Sequence, residues 1–151
     1  MSLEDFVNVL KENEAKLRNS YEETIELCSD KFLEIIMVDT AFIIELMMRY
    51  YILPSTHEKD HIFYKPWLIR KIMDDILLLE NQLPFFILES IFVKAKISIF
   101  PQQDEKLSLI WLTHHLFKTK AYLGEMEQHW DYLCSSKIEH FLHFTHICHL
   151  H

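Results

Sequence analysis

Ser29-Asp30-Lys31-Phe32-Leu33-Glu34-Ile35-Ile36-Met37-Val38-Asp39-Thr40-Ala41-Phe42-Ile43-Ile44-Glu45-Leu46-Met47-Met48-Arg49 is the stretch on which the fold turns. Ser29 or Asp30 can cap a helix start. From Phe32 to Met48 the apolar residues cover most of a helical circumference, and a helix apolar nearly all round belongs at the centre of a domain. Asp39 and Glu45 are then expected inside the core or at its rim. They are six residues apart, about 120° from one another around a helix, so they cannot act as a catalytic dyad on one face. Glu45 and Arg49 stand in the favourable i,i+4 order for an ion pair. The apolar run from Ile35 to Leu53 is interrupted by Asp39, Glu45 and Arg49. Charges at the centre of a bilayer are expensive, so the run reads as a core helix and not a membrane span.

Outward from this helix the same periodicity recurs. Leu3, Phe6, Val7, Leu10, Leu17, Tyr21, Ile25 and Cys28 mark an amphipathic first helix with Ser2 as its N-cap and Asp5 three residues on, interrupted near Asn19-Ser20. Pro54 ends the central helix, and Ser55 to Lys65 is a polar loop. After Pro66, the residues Trp67, Leu68, Ile72, Ile76, Leu77 and Leu79 carry the apolar stripe of a third helix. Glu80-Asn81-Gln82 stops it, and Pro84 starts a fourth through Phe85, Phe86, Leu88, Ile91, Phe92 and Ile97. Pro101 to Asp104 is a break before a fifth helix, Leu107 to Phe117. Ala121 to Ser136 reads as a loop around Gly124 with one short helix through Trp130 and Leu133. A histidine-rich helix or tail fills 137–151. The expectation is an all-α protein, 1–151 forming a single irregular helical domain of about six helices.

Composition removes several function classes. The chain has 151 residues and one glycine, where roughly ten are usual at about 7%. A phosphate-binding loop and a dinucleotide fingerprint both need several. The net charge is −8, from 23 acidic and 15 basic residues, which argues against nucleic-acid partners. Cys28, Cys134 and Cys148 are distant and odd in number, which favours free thiols in a reducing, cytoplasmic setting. The acidic N-terminus is unlike a signal peptide. Peripheral membrane contact and membrane association through partners stay open, although the many glutamates of the first helix make its own attraction to anionic lipid poor. No nucleophile motif is visible, so no residue is given a catalytic role.

Two clusters remain. Glu80, Asn81, Gln82 and Pro84 could form a small recognition edge between two helices. Their residue types fit capping better: Asn81 and Gln82 for the open carbonyls of one helix, Glu80 for the amides of the next, Pro84 for the restart. His143, His146, Cys148 and His149 are the second cluster, with imidazole and thiolate groups suited to zinc. Spacing by three fans such residues around the helix, so one helix closes a tetrahedral site poorly. No cofactor is therefore expected, zinc being the one metal these residues would suit. Three Trp and eleven Phe without basic surroundings read as core, not as a base-stacking platform.

Four stretches resemble a known family. Asp75-Ile-Leu-Leu-Leu-Glu-Asn-Gln-Leu-Pro-Phe-Phe86 resembles the D-x-L-L-L-E-N-Q-L-P-F-F segment of the plant protein of unknown function 247 family. Met37 to Leu46 resembles that family's D-G-C-F-I-L-E helix, with Thr40 and Ala41 in place of its Gly and Cys, and His61 to Leu68 resembles its I-F-x-x-P-W entry. Lys137 to Phe144 is similar to its K-H-L-L-D-L-L segment. The resemblance implies an all-α domain from a flowering plant and a shortened member, since the family's chains are usually two to three times longer and most end in an apolar anchor. Some grass members are similar to self-incompatibility determinants. The expectation is a non-enzymatic protein–protein interaction module that presents a helical apolar surface to a protein partner or a second copy, with reproductive recognition as the implied setting. The competing expectation is a zinc-binding or hydrolytic protein using the C-terminal His/Cys cluster.

Overall fold

The central stretch does form a helix, but its polar residues leave one side of it in water. The computed structural model describes residues 1–52, 61–99, 107–118, 123 and 130–150. The expected ends at Pro54 and Pro101–Asp104, the loop at Gly124 and His151 lie outside these residues. Every regular element among the described residues is helical, as expected, and the chain is one all-α domain. The helices are α1 (Leu3–Asn19), α2 (Ser29–Ile52), α3 (Pro66–Ile76), α4 (Phe85–Ile99), α5 (Leu109–Phe117), α6 (Trp130–Ser135) and α7 (Phe141–Leu150), with a 3-10 turn at Leu79–Asn81. That is seven α-helices among the described residues, against about six expected.

Helix α1 starts on a full capping box. Ser2 Oγ accepts from Asp5 N, and Asp5 Oδ2 accepts from Ser2 N. It ends at Asn19, where Ser20 Oγ turns back to donate to Lys16 O. The break expected at Asn19-Ser20 is therefore the end of the helix, and Tyr21 to Cys28 forms a non-helical link. Arg18 holds that link. Its guanidinium donates to Ile25 O at 3.0 Å and Leu27 O at 2.9 Å, pairs with Glu14, and lies 4.3 Å from the centre of the Phe32 ring.

Helix α2 packs on α1, α4 and α5, α1 also on α4, and α4 on α5. Its inner face supplies Phe32, Leu33, Ile36, Ile43, Ile44, Leu46, Met47 and Met48 to the core. Leu10, Leu17, Ile87, Leu88, Leu112, Phe117, Phe141 and Phe144 fill the centre of the bundle almost without solvent contact. Phe141 meets Phe85 and Phe117 with ring centres 5.9 and 5.7 Å apart, which docks α7 onto α4 and α5.

Two expectations are corrected here. Helix α2 is not buried all round: Lys31, Glu34, Ile35, Val38, Asp39, Phe42, Glu45 and Arg49 recur at three- and four-residue steps and face solvent. Asp39 thus stands at the rim of the core, on the edge of apolar surroundings, and Glu45 lies clear of it in solvent. Trp67 and Leu79 do not belong to a buried stripe either, being 68% and 76% exposed. Helix α3 ends at Ile76, so Leu79 falls in the 3-10 turn and out of the helical register. Trp67 sits in the first turn, beyond the packed part of the helix.

Candidate functional site

The solvent face of α2 changes character along its length. At one end Lys31 pairs with Glu34 at 2.9 Å, and at the other Arg49 pairs with Glu45 at 2.6 Å. Between these ion pairs Ile35, Val38 and Phe42 are 40, 59 and 42% exposed. Exposed residues at i, i+3 and i+7 form one continuous apolar stripe. Beside it opens a groove of about 510 Å³. One wall is α2, through Ile35, Asp39, Phe42 and Ile43. The link after α1 adds Tyr21, Ile25 and Leu27, and the end of α3 with its 3-10 turn adds Ile72, Asp75 and Glu80 to Leu83. The stretches 37–46 and 75–83, far apart in sequence, thus meet along one depression.

Its electrostatics are one-sided. Asp39, Asp75 and Glu80 line the groove, and none of its described lining residues is Lys, Arg or His. Apolar surroundings desolvate Asp39 and raise its pKa above the ordinary carboxylate range. Tyr21 across the groove is pushed up as well, by burial first and by the Asp39 charge second. Three other acids have cations: Glu14 has Arg18, Glu34 has Lys31 and Glu45 has Arg49.

The E-N-Q-L-P stretch forms the floor and hinge of the site. Asn81 Nδ2 donates to Asp75 O at 2.9 Å. Gln82 Nε2 donates to Ile76 O at 2.8 Å and to Leu78 O at 2.7 Å. Both amides therefore cover carbonyls left open at the end of α3. The other end of Gln82 reaches further: its Oε1 accepts from Leu142 N at 3.0 Å, in the first turn of α7. Beside it Phe85 N donates to Glu139 O at 2.7 Å. One side chain thus caps the end of α3 and the start of α7, the second through a backbone group 60 residues further along the chain. Pro84 is buried directly before α4, as the restart requires. Glu80 does not cap the next helix; its carboxylate lies on the groove.

The histidines form a different device. His140, directly before α7, accepts from His143 N on Nδ1 at 3.0 Å, and His143 Nδ1 accepts from Glu139 N at 3.2 Å. This is capping-box logic with imidazoles in place of Ser and Glu. His143, His146 and His149 share an open depression of about 610 Å³ with Glu139 and His140. His149 Nδ1 lies 2.7 Å from Thr145 O. Cys148 is not on that depression: it faces the core, where burial pushes its thiol up to about 11. The four residues considered for zinc are therefore not brought together. Among the described residues no group of three His, Cys, Asp or Glu side chains could hold a metal ion. Also among the described residues, no helix is long and apolar enough to cross a membrane.

The groove was the part that sequence reasoning missed. The signal was present in Ile35, Val38, Asp39 and Phe42 sharing a helical face, but so many apolar neighbours hid it.

A UPF0481 protein of Arabidopsis thaliana is 32% identical over 130 residues, covering 78% of this chain and 26% of the relative. The chain thus spans about a quarter of the length of the curated relative it matches. No solved structure matches. The family described as "Plant protein of unknown function", DUF247, matches residues 1–151. The chain belongs to this DUF247 family.

Proposed function

We propose that the protein is a non-enzymatic interaction module that binds a protein partner through the groove between α2 and α3. The observation that carries this reading is the apolar stripe Ile35, Val38 and Phe42, continued by Leu27 at 42% exposure, beside a groove walled by three separate elements. Covering the exposed halves of these four side chains is worth about 3–6 kcal/mol, at about 1.5–3 kcal/mol for each side chain fully buried. That is a useful fraction of the free energy of a micromolar complex, about 8 kcal/mol. Contiguous exposed apolar surface favours association. Among its described lining residues the groove offers no nucleophile–base pair, and its acids stand on separate elements.

The test compares wild type with Phe42→Glu, which places a charge in the middle of the stripe. Light scattering and affinity capture from plant tissue would be run on both. The wild type should hold a partner or a second copy, and Phe42→Glu should release it while keeping its helical content. A monodisperse wild-type monomer, with identical proteins captured by both chains, would contradict the reading.

A further inference from the structure

We infer that the occupant of the groove is an amphipathic helix of a partner protein with an arginine or lysine on the edge of its apolar face. The inference rests on the interaction reading above and adds the chemistry of the partner. Three observations support it.

The first is shape. One long wall is the helix α2, whose exposed anchors follow i, i+3 and i+7, and it faces the end of α3 with its 3-10 turn and the link after α1. That spacing matches a helix laid in a groove, whose own anchors recur in the same way. Among the described residues there is no strand, so no sheet edge offers an extended peptide a hydrogen-bonding template.

The second is charge. Asp39, Asp75 and Glu80 are contributed by α2, α3 and the 3-10 turn, and all three border the same apolar depression. None of the described residues that line it is basic, and the guanidinium of Arg18, which holds the link after α1, is committed to Glu14 and to the carbonyls of Ile25 and Leu27. Beyond the groove, α2 pairs its acids locally on both sides, Glu34 with Lys31 and Glu45 with Arg49.

The third is the consequence of closing the groove. A purely apolar occupant would strip water from Asp39 and leave a buried carboxylate without a partner. An acidic occupant would meet like charge. A cation at the edge of the occupant would replace the lost water, and arginine suits this best because it is weakly hydrated and can bind a carboxylate with two parallel hydrogen bonds. Asp39 is then the selecting residue, with Asp75 and Glu80 drawing the cation from the opposite wall.

The experiment is selection from a displayed library of random helical peptides on the immobilised full chain, with Phe42→Glu as the counter-target. Enriched peptides are then measured by fluorescence anisotropy against wild type, Asp39→Asn and the double variant Asp75→Asn/Glu80→Gln. The double variant keeps the test alive should Asp39→Asn not fold. Expected are peptides with apolar residues at helical spacing and a flanking Arg or Lys, lost on Phe42→Glu. Their affinity should fall about tenfold on Asp39→Asn, and fall again with added salt, as for a charge pair at an interface. Peptides without a cation, or a cation indifferent to both carboxylate variants and to salt, would overturn the inference while leaving the groove a docking site. No peptide preferring wild type over Phe42→Glu would overturn both.

Discussion

Replacing Gln82 with alanine is expected to loosen two helix ends at once. The side chain makes three hydrogen bonds: Nε2 to Ile76 O at 2.8 Å, Nε2 to Leu78 O at 2.7 Å, and Oε1 from Leu142 N at 3.0 Å. A net hydrogen bond contributes about 0.5–1.5 kcal/mol, and water can replace part of it where the site is exposed. The bond to Ile76 O is partly buried and the other two are exposed. About 2 kcal/mol is therefore the expected loss, a fall in Tm of about 4–8 °C for a chain of this size. The assay is urea and thermal unfolding followed by far-UV circular dichroism. Asn81→Ala, which removes one exposed bond to Asp75 O, serves as the comparison and should lose less than about 1 kcal/mol. Gln82→Glu keeps an acceptor for Leu142 N but turns oxygen toward Ile76 O and Leu78 O, so it should be no more stable than Gln82→Ala. A Gln82→Ala protein within about 0.5 kcal/mol of wild type, the spread of neutral surface changes, would refute the role given to this residue.

Three further outcomes follow from the same contacts. His140 is the neutral cap of α7, and burial, then the neighbouring His143, hold its pKa below the ordinary 6.5 against the opposing pull of Glu139. Its contribution is present above the unfolded pKa near 6.5 and is lost as pH falls through the lower folded value. His140→Asn keeps an N-cap acceptor without titrating, so its unfolding free energy should fall less steeply below pH 6.5 than that of wild type. His115, lowered by burial and then by Lys118, leaves a residual dependence of the same sign. Thr40 is fully buried and its Oγ1 has no partner among the described residues, whereas Thr113 Oγ1 donates to Leu109 O at 2.8 Å. Thr40→Val keeps the shape and removes the orphan hydroxyl, and should add about 1 kcal/mol and 2–4 °C in a melting curve. Asp39 has a raised folded pKa, so its ionisation opposes folding above that pKa and ceases to matter below the ordinary 3.8. Asp39→Asn should therefore be the more stable protein at neutral pH and lose its advantage near pH 3 in a urea series.

What the sequence discloses depends on how local the cause is. The capping box at Ser2 and Asp5, the proline starts of α3 and α4, and the Glu45–Arg49 pair each rest on residues within four positions, and all were legible. So was the choice of Asn81 and Gln82 as covers for the end of α3. The second reach of Gln82, to Leu142, is a product of tertiary packing, and no local pattern announces it. The same holds for His140 and His143. Their composition suggests metal, whereas their place at a helix start makes them backbone acceptors. On α2 the difficulty was degeneracy. With nearly every position apolar, periodicity cannot say which apolar face is buried, and only the packing of α1, α4 and α5 leaves Ile35, Val38 and Phe42 outside. Thus the core was largely readable and the candidate site, an exposed remainder of that core helix, was not.

Hydrogen exchange on the full chain with and without its captured partner tests the central claim most directly. Added protection should fall on two separate stretches, residues 21–43 and 72–83, and be absent when Phe42→Glu replaces wild type. Protection confined to the histidine face of α7, or spread unchanged over wild type and Phe42→Glu alike, would contradict a docking site between α2 and α3.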